Sequence, residues 1–68
     1  MTPDQFAALA DLLRLRSGPA RECARLVLVD GSSTIDAAAS LGMQYRAAAA
    51  AVQRARQGLE LARRAVAG

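Results

Sequence analysis

The sequence predicts an all-α fold, a single small domain of four helices, and three observations carry that reading. Alanine supplies 17 of the 68 residues. With one Phe, one Tyr and no Trp, there is too little β-forming material for a small sandwich or barrel. Helix-starting and helix-stopping residues recur at short intervals, and the apolar residues between them follow helical spacing.

The first helix opens on a nearly complete start signal. Thr2 is placed to cap it, Pro3 takes the first helical position, and Gln5 falls three residues after the cap, where it can close a capping box. Met1 and Phe6 occupy the two places of a hydrophobic staple. Phe6, Leu9, Leu12, Leu13 and Leu15 follow at roughly helical spacing until Ser17-Gly18-Pro19 ends the run. Pro19 opens the second helix, whose inward face is expected to hold Ala20, Cys23, Ala24, Val27 and Leu28, and Asp30-Gly31 stops it. Leu26 to Val29 could pass for a strand, but four residues without a partner do not make one.

Ser33 caps a short third helix through Leu41, with Asp36 near the positive end of its dipole. Gly42 follows, where a left-handed backbone is wanted. From Tyr45 onward only Gly58 interrupts a fourth helix of about 22 residues, at a cost of about 1 kcal/mol relative to alanine.

Length and charge bound the function. A chain this short buries only about 60% of the surface its unfolded form exposes, so its core is thin and self-association is a natural recourse. All nine positive charges are arginine, against six acids. Residues 1–36 hold four arginines and five acids, a net −1, whereas residues 37–68 hold five arginines and Glu60 alone, a net +4. A basic second half suits a polyanionic partner, because each neutralised phosphate releases counterions.

The enzyme classes find no footing. The chain has no His, no glycine-rich phosphate loop and no paired carboxylates at a useful spacing. Its single Cys excludes a disulfide framework and any Cys/His zinc site. Cys23 is expected on an inner helix face with no base to activate it. We therefore expect no catalysis, no cofactor, no metal and no small-molecule substrate. No apolar run approaches the roughly 20 residues needed to cross a bilayer, and Asp4 with no basic residue before Arg14 is unlike a signal peptide, so a cytoplasmic address without a membrane anchor is expected.

The spacing around Gly42 carries the functional expectation. Counted from Thr34, Ala38 is the fifth residue, Gly42 the ninth, Met43 the tenth, Ala48 the fifteenth and Ala51 the eighteenth. In a helix-turn-helix the fifth position must be small because two helices nearly touch there. The ninth must accept positive φ, and the tenth and fifteenth must be apolar. Ile35 and Leu41 would supply the rest of the seam, and the motif would span residues 34–55.

With these residues in view, the chain resembles the KorA (TrfB-related) family of plasmid and phage repressors nearly end to end. The likeness rests on Thr2 with Gln5-Phe6, on Ala24-Arg25 leading into Val27-Leu28-Val29-Asp30-Gly31, on Ala38 and Ser40-Leu41-Gly42-Met43, and on Ala47 with Ala51-Val52-Gln53-Arg54. The resemblance implies a repressor that binds double-stranded operator DNA through the helix-turn-helix, usually as a homodimer.

Groove-facing positions of such a motif would be Gln44, Tyr45, Arg46, Ala49, Ala50 and Gln53. The two glutamines could read adenine edges, Arg46 could fork onto guanine, and Tyr45 could reach a phosphate or a thymine methyl. Ala49 and Ala50 offer only methyl contact, which departs from a rich reading surface and leaves base discrimination narrow or weak. Arg54 and Arg56 could clamp phosphates. Arg63 and Arg64 are better placed to stabilise the negative helix end.

Ala48, Val52, Ala55, Leu59, Ala62 and Val66 recur at heptad intervals. The surplus stripe of Ala55, Leu59, Ala62 and Val66 in the extension 56–67 and just before it is read as a dimerisation seam. The alternative folds this end back against Phe6, Leu9 and Leu13. A second functional reading also stands: a small phage- or plasmid-encoded inhibitor that reuses the scaffold and docks its smooth alanine face on a host protein partner.

Overall fold

The computed structural model describes the backbone of residues 1–67 and the side chains of residues 1–66. Four helices follow one another: α1 (Pro3–Leu12), α2 (Pro19–Leu28), α3 (Thr34–Leu41) and α4 (Tyr45–Ala67), with no strand among the described residues. The fold is all-α with a long C-terminal helix, as expected. α4 is the spine, since α1, α2 and α3 all pack on it, and no helix is long and apolar enough to cross a membrane.

α1 begins as its first residues dictate. The Thr2 hydroxyl accepts from the Gln5 N–H at 3.1 Å and the Gln5 carbonyl oxygen accepts from the Thr2 N–H at 2.9 Å, closing the capping box. Its end differs from the sequence reading. The helix stops at Leu12 rather than running through Leu15, because Arg14 takes a left-handed φ of +53°. The Arg14 N–H donates to the Asp11 carbonyl and the Leu15 N–H to the Ala10 carbonyl, the paired bonds of a Schellman turn. This turn folds Leu15 back onto the cluster of Phe6, Ala10, Ala24 and Ala55, so the apolar periodicity continued past the point where the backbone had already turned.

α2 contributes Cys23 and Ala24 to the interior. Ala20, expected on the same face, is exposed, because the helix meets its neighbours one turn further on. Arg25 donates to Glu22 on its own helix and to Asp30 beyond it at 3.2 Å. The Arg25 guanidinium holds the Glu22 carboxyl below its ordinary value, and the bridge to Asp30 spans the bend into α3.

Two small cores result. One gathers Phe6, Ala10, Ala24 and Ala55 beneath α1; the other gathers Cys23, Ala37, Ala38, Ala48 and Val52 where α2, α3 and α4 meet. Most of these side chains are alanine, which lets helix axes approach closely and gives each contact little area. Gly58, read from the sequence as a helix-weakening interruption, is the place where the end of α1 crosses α4. A Cβ there would lie 2.6 Å from both methyl carbons of Leu13, so any side chain at position 58 must push Leu13 aside.

Candidate nucleic-acid interface

The candidate surface depends on how α3 hands the chain to α4. Ser33 caps α3 by accepting from the Asp36 N–H at 3.1 Å. Gly42 then ends it with φ +66°, and the Met43 N–H donates to the Ala38 carbonyl at 2.9 Å. Only Gly42, Met43 and Gln44 separate the two helices. A residue with a Cβ would be strained at that φ, which explains the glycine. The tight turn brings Ala37 and Ala38 of α3 into one buried cluster with Ala48 and Val52 of α4; Ala48 is 0% exposed and Ala38 4%. The Cys23 sulfur lies 3.9 Å from the Ala48 carbonyl oxygen, and burial pushes its thiol pKa up, away from reactivity.

Met43 and Leu41 pack on this cluster as the register requires. Ile35 does not. It is 67% exposed, because it sits on the outer side of a helix only eight residues long that packs through Ala37 and Ala38. Ala51, the eighteenth residue counted from Thr34, is half-buried at the edge of an open hollow shared with Leu15 and Ala20.

With its inner face pinned, α4 turns its other face outward. Gln44, Tyr45, Arg46, Ala50, Gln53, Arg54 and Arg56 are exposed and Ala49 is half-buried. At 3.6 residues per turn, Arg46, Ala50 and Gln53 fall within a stripe about 60° wide and about 10 Å long, a size that fits a major groove roughly 12 Å across. Arg54 and Arg56 leave the helix about 160° apart, one on each flank of that stripe, with Ala49 and Tyr45 on the Arg56 side. No acid stands between Asp36 and Glu60, and the first turn of α4 has none to offset its positive pole. Among the described residues, Arg46, Arg54 and Arg56 have no carboxylate partner, whereas Arg64 pairs with Glu60 at 3.5 Å.

Three further arginines, absent from the sequence reading of the site, lie close to this surface. Arg14 and Arg16 of the α1–α2 connection and Arg21 in the first turn of α2 line one open hollow with Arg54 of α4. Counting charge by halves of the chain concealed them, since they fall in the half that sums to −1. The pertinent signal was local: four arginines, and no acid, among residues 12–21 and 54 once the turn before Gly18-Pro19 is closed.

The proposed dimer seam needs correction. Ala55 is 1% exposed within its own chain, packed with Phe6, Ala10 and Ala24, so it offers nothing to a second copy. Leu59 and Ala62 are half-buried and face Met1, Leu9 and Leu12 across a groove of about 480 Å³. α1 therefore takes up much of the stripe read as surplus. What stays open at this end is Val66, 89% exposed, with Leu61 and Leu12 at 64% each.

No protein-family model matches the chain, and neither a curated protein nor a solved structure matches it.

Proposed function

We propose that the chain is a DNA-binding transcriptional repressor in which α3 and α4 act as a helix-turn-helix, α4 entering the major groove of operator DNA. The observation that carries this reading is the acid-free, outward face of α4 from Gln44 to Arg56, held clear of the core by the Gly42 turn and by the Ala38–Ala48 contact. In this reading Arg46, Gln44 and Gln53 touch base edges, Tyr45 touches a phosphate or a thymine methyl, Arg54 and Arg56 hold the two flanking backbones, and Ala49 and Ala50 let the helix approach closely. Repression follows from occupying a promoter. The resemblance to the KorA family points the same way.

Fluorescence anisotropy with a labelled mixed-sequence duplex tests this. At about 50 mM salt the protein is expected to bind, with affinity falling steeply as salt rises. Arg46→Ala is expected to weaken binding and to lower the salt slope by about 0.9, since it removes one cation from the face that meets the duplex. No binding at low salt, or equal binding by Arg46→Ala, contradicts the proposal.

A homodimer would place two such helices on successive major grooves. Such a dimer would meet at the open end of α4 and the groove beside α1, where Leu12 and Val66 are exposed. Light scattering should then give twice the 7.1 kDa chain mass, and Leu12→Glu combined with Val66→Glu should return it to one chain; an unchanged mass in the variant rules this seam out. One observation favours the protein-docking alternative: Ile35 and Tyr45 stand exposed around an open apolar hollow beside Met43. Retention of a host protein together with no DNA binding would decide for it.

A further inference from the structure

We infer that the α1–α2 connection and the first turn of α2 form a second contact with the same duplex, in which Arg14, Arg16 and Arg21 join Arg54 to hold one phosphate backbone beside the groove that α4 enters. The inference rests on the DNA-binding reading above and adds to it a part of the surface outside the helix-turn-helix.

The four arginines line one open hollow of about 410 Å³, and among the described residues none of them has a carboxylate within ion-pairing distance. That separates them from Arg25 and Arg64, whose charges are spent on Glu22, Asp30 and Glu60. Glu22, beside Arg21 and paired to Arg25, is the near acid, so the four like charges are only partly offset, and a polyanion relieves their repulsion. Among the described residues, the one side-chain hydrogen bond these arginines make is from Arg21 Nη1 to the Leu15 carbonyl at 3.4 Å, which leaves the rest of the Arg21 donors free.

Position selects the partner. The hollow adjoins a second one lined by Leu15, Ala20, Ala47, Ala50 and Arg54, so the cluster continues the Arg54 flank of the α4 stripe. Arg56 stands on the opposite flank. A major groove is bordered by two phosphate strands, and this arrangement meets one with Arg56 and the other with Arg54 and the connection. Backbone contacts of this kind carry no base information. They set register and raise the salt dependence, each neutralised phosphate adding about 0.9 to the slope of log affinity against log salt.

Arg14 allows a clean test, because at φ +53° a glycine fits its backbone better than arginine does. Arg14→Gly with Arg16→Ala should melt at the same temperature as the unaltered chain or higher, while binding a labelled mixed-sequence duplex at least tenfold more weakly at about 50 mM salt. Its salt slope should be lower by about two, and its preference among duplex sequences unchanged. Arg63→Ala with Arg64→Ala removes the same charge from the far end of α4 and should keep the original slope. The inference is overturned if the unaltered chain binds and the Arg14/Arg16 variant keeps its affinity and slope, or if both double variants lose them equally. Absence of binding by the unaltered chain overturns the DNA-binding reading itself, and this contact with it.

Discussion

Phe6→Ala is expected to abolish cooperative folding. Phe6 is 3% exposed and is the only large side chain in a cluster otherwise built of Ala10, Ala24 and Ala55, with Leu15, Leu28 and Val29 at its edge. Small neighbours cannot expand to fill the space it leaves, and the helices that carry them are held apart by their own backbones. Truncating a buried Phe costs about 3–5 kcal/mol, and a domain of this size commonly has no more than about 3–5 kcal/mol in total. The far-ultraviolet circular dichroism melt of the variant should show no sigmoidal transition, or one lowered by more than about 12 °C. A midpoint within a few degrees of the unaltered chain would mean that α1 contributes little to the fold.

Ala38→Leu is expected to remove both stability and DNA binding, through a different mechanism. Ala38 and Ala48 share the cluster in which α3 meets α4, and both are buried. The added carbon atoms crowd the α3–α4 contact, with the open hollow that Ala38 lines beside Ile35, Met43 and Tyr45 as their one outlet among the described residues, and those that stay in the contact move α3 away from α4. Overpacking of this sort costs about 1–3 kcal/mol. It also alters the angle at which α4 leaves the Gly42 turn. Duplex affinity should fall even at a temperature where the variant is still folded. Ile35→Ala, on the exposed side of the same helix, is the matched comparison and should change stability by less than about 0.5 kcal/mol. Equal effects of the two substitutions would contradict the packing described here.

Local features of the chain were legible before the structure, and long-range ones were not. Thr2 with Gln5, Ser33 with the Asp36 N–H, and Gly42 at positive φ act within a few residues of themselves, so spacing alone disclosed them. The end of α1 was missed because nothing about an arginine advertises a left-handed backbone; only the need to bury Leu15 explains it. The heptad stripe was correctly seen as apolar. Its occupant was misassigned at Ala55, since sequence periodicity reports that a face is covered without naming what covers it. Ile35 and Ala20 misled in the opposite sense, being apolar residues at plausible positions on helices too short to bury every such residue. Of the positions counted from Thr34 as groove-facing, Gln44, Tyr45, Arg46, Ala50 and Gln53 are exposed and Ala49 is half-buried. The Arg14, Arg16 and Arg21 cluster did not emerge, because its tie to Arg54 crosses more than thirty positions of chain.

The central claim is that α4, held out by the Gly42 turn, is the surface that meets a duplex. Amide chemical shifts followed by nuclear magnetic resonance during titration with a mixed-sequence duplex test it most directly. The expected result is a set of shifted amides concentrated at residues 44–56 and 14–21, with Leu61 to Val66 unmoved. Shifts confined to the α1–α4 groove, or none across residues 44–56 at low salt, would contradict it.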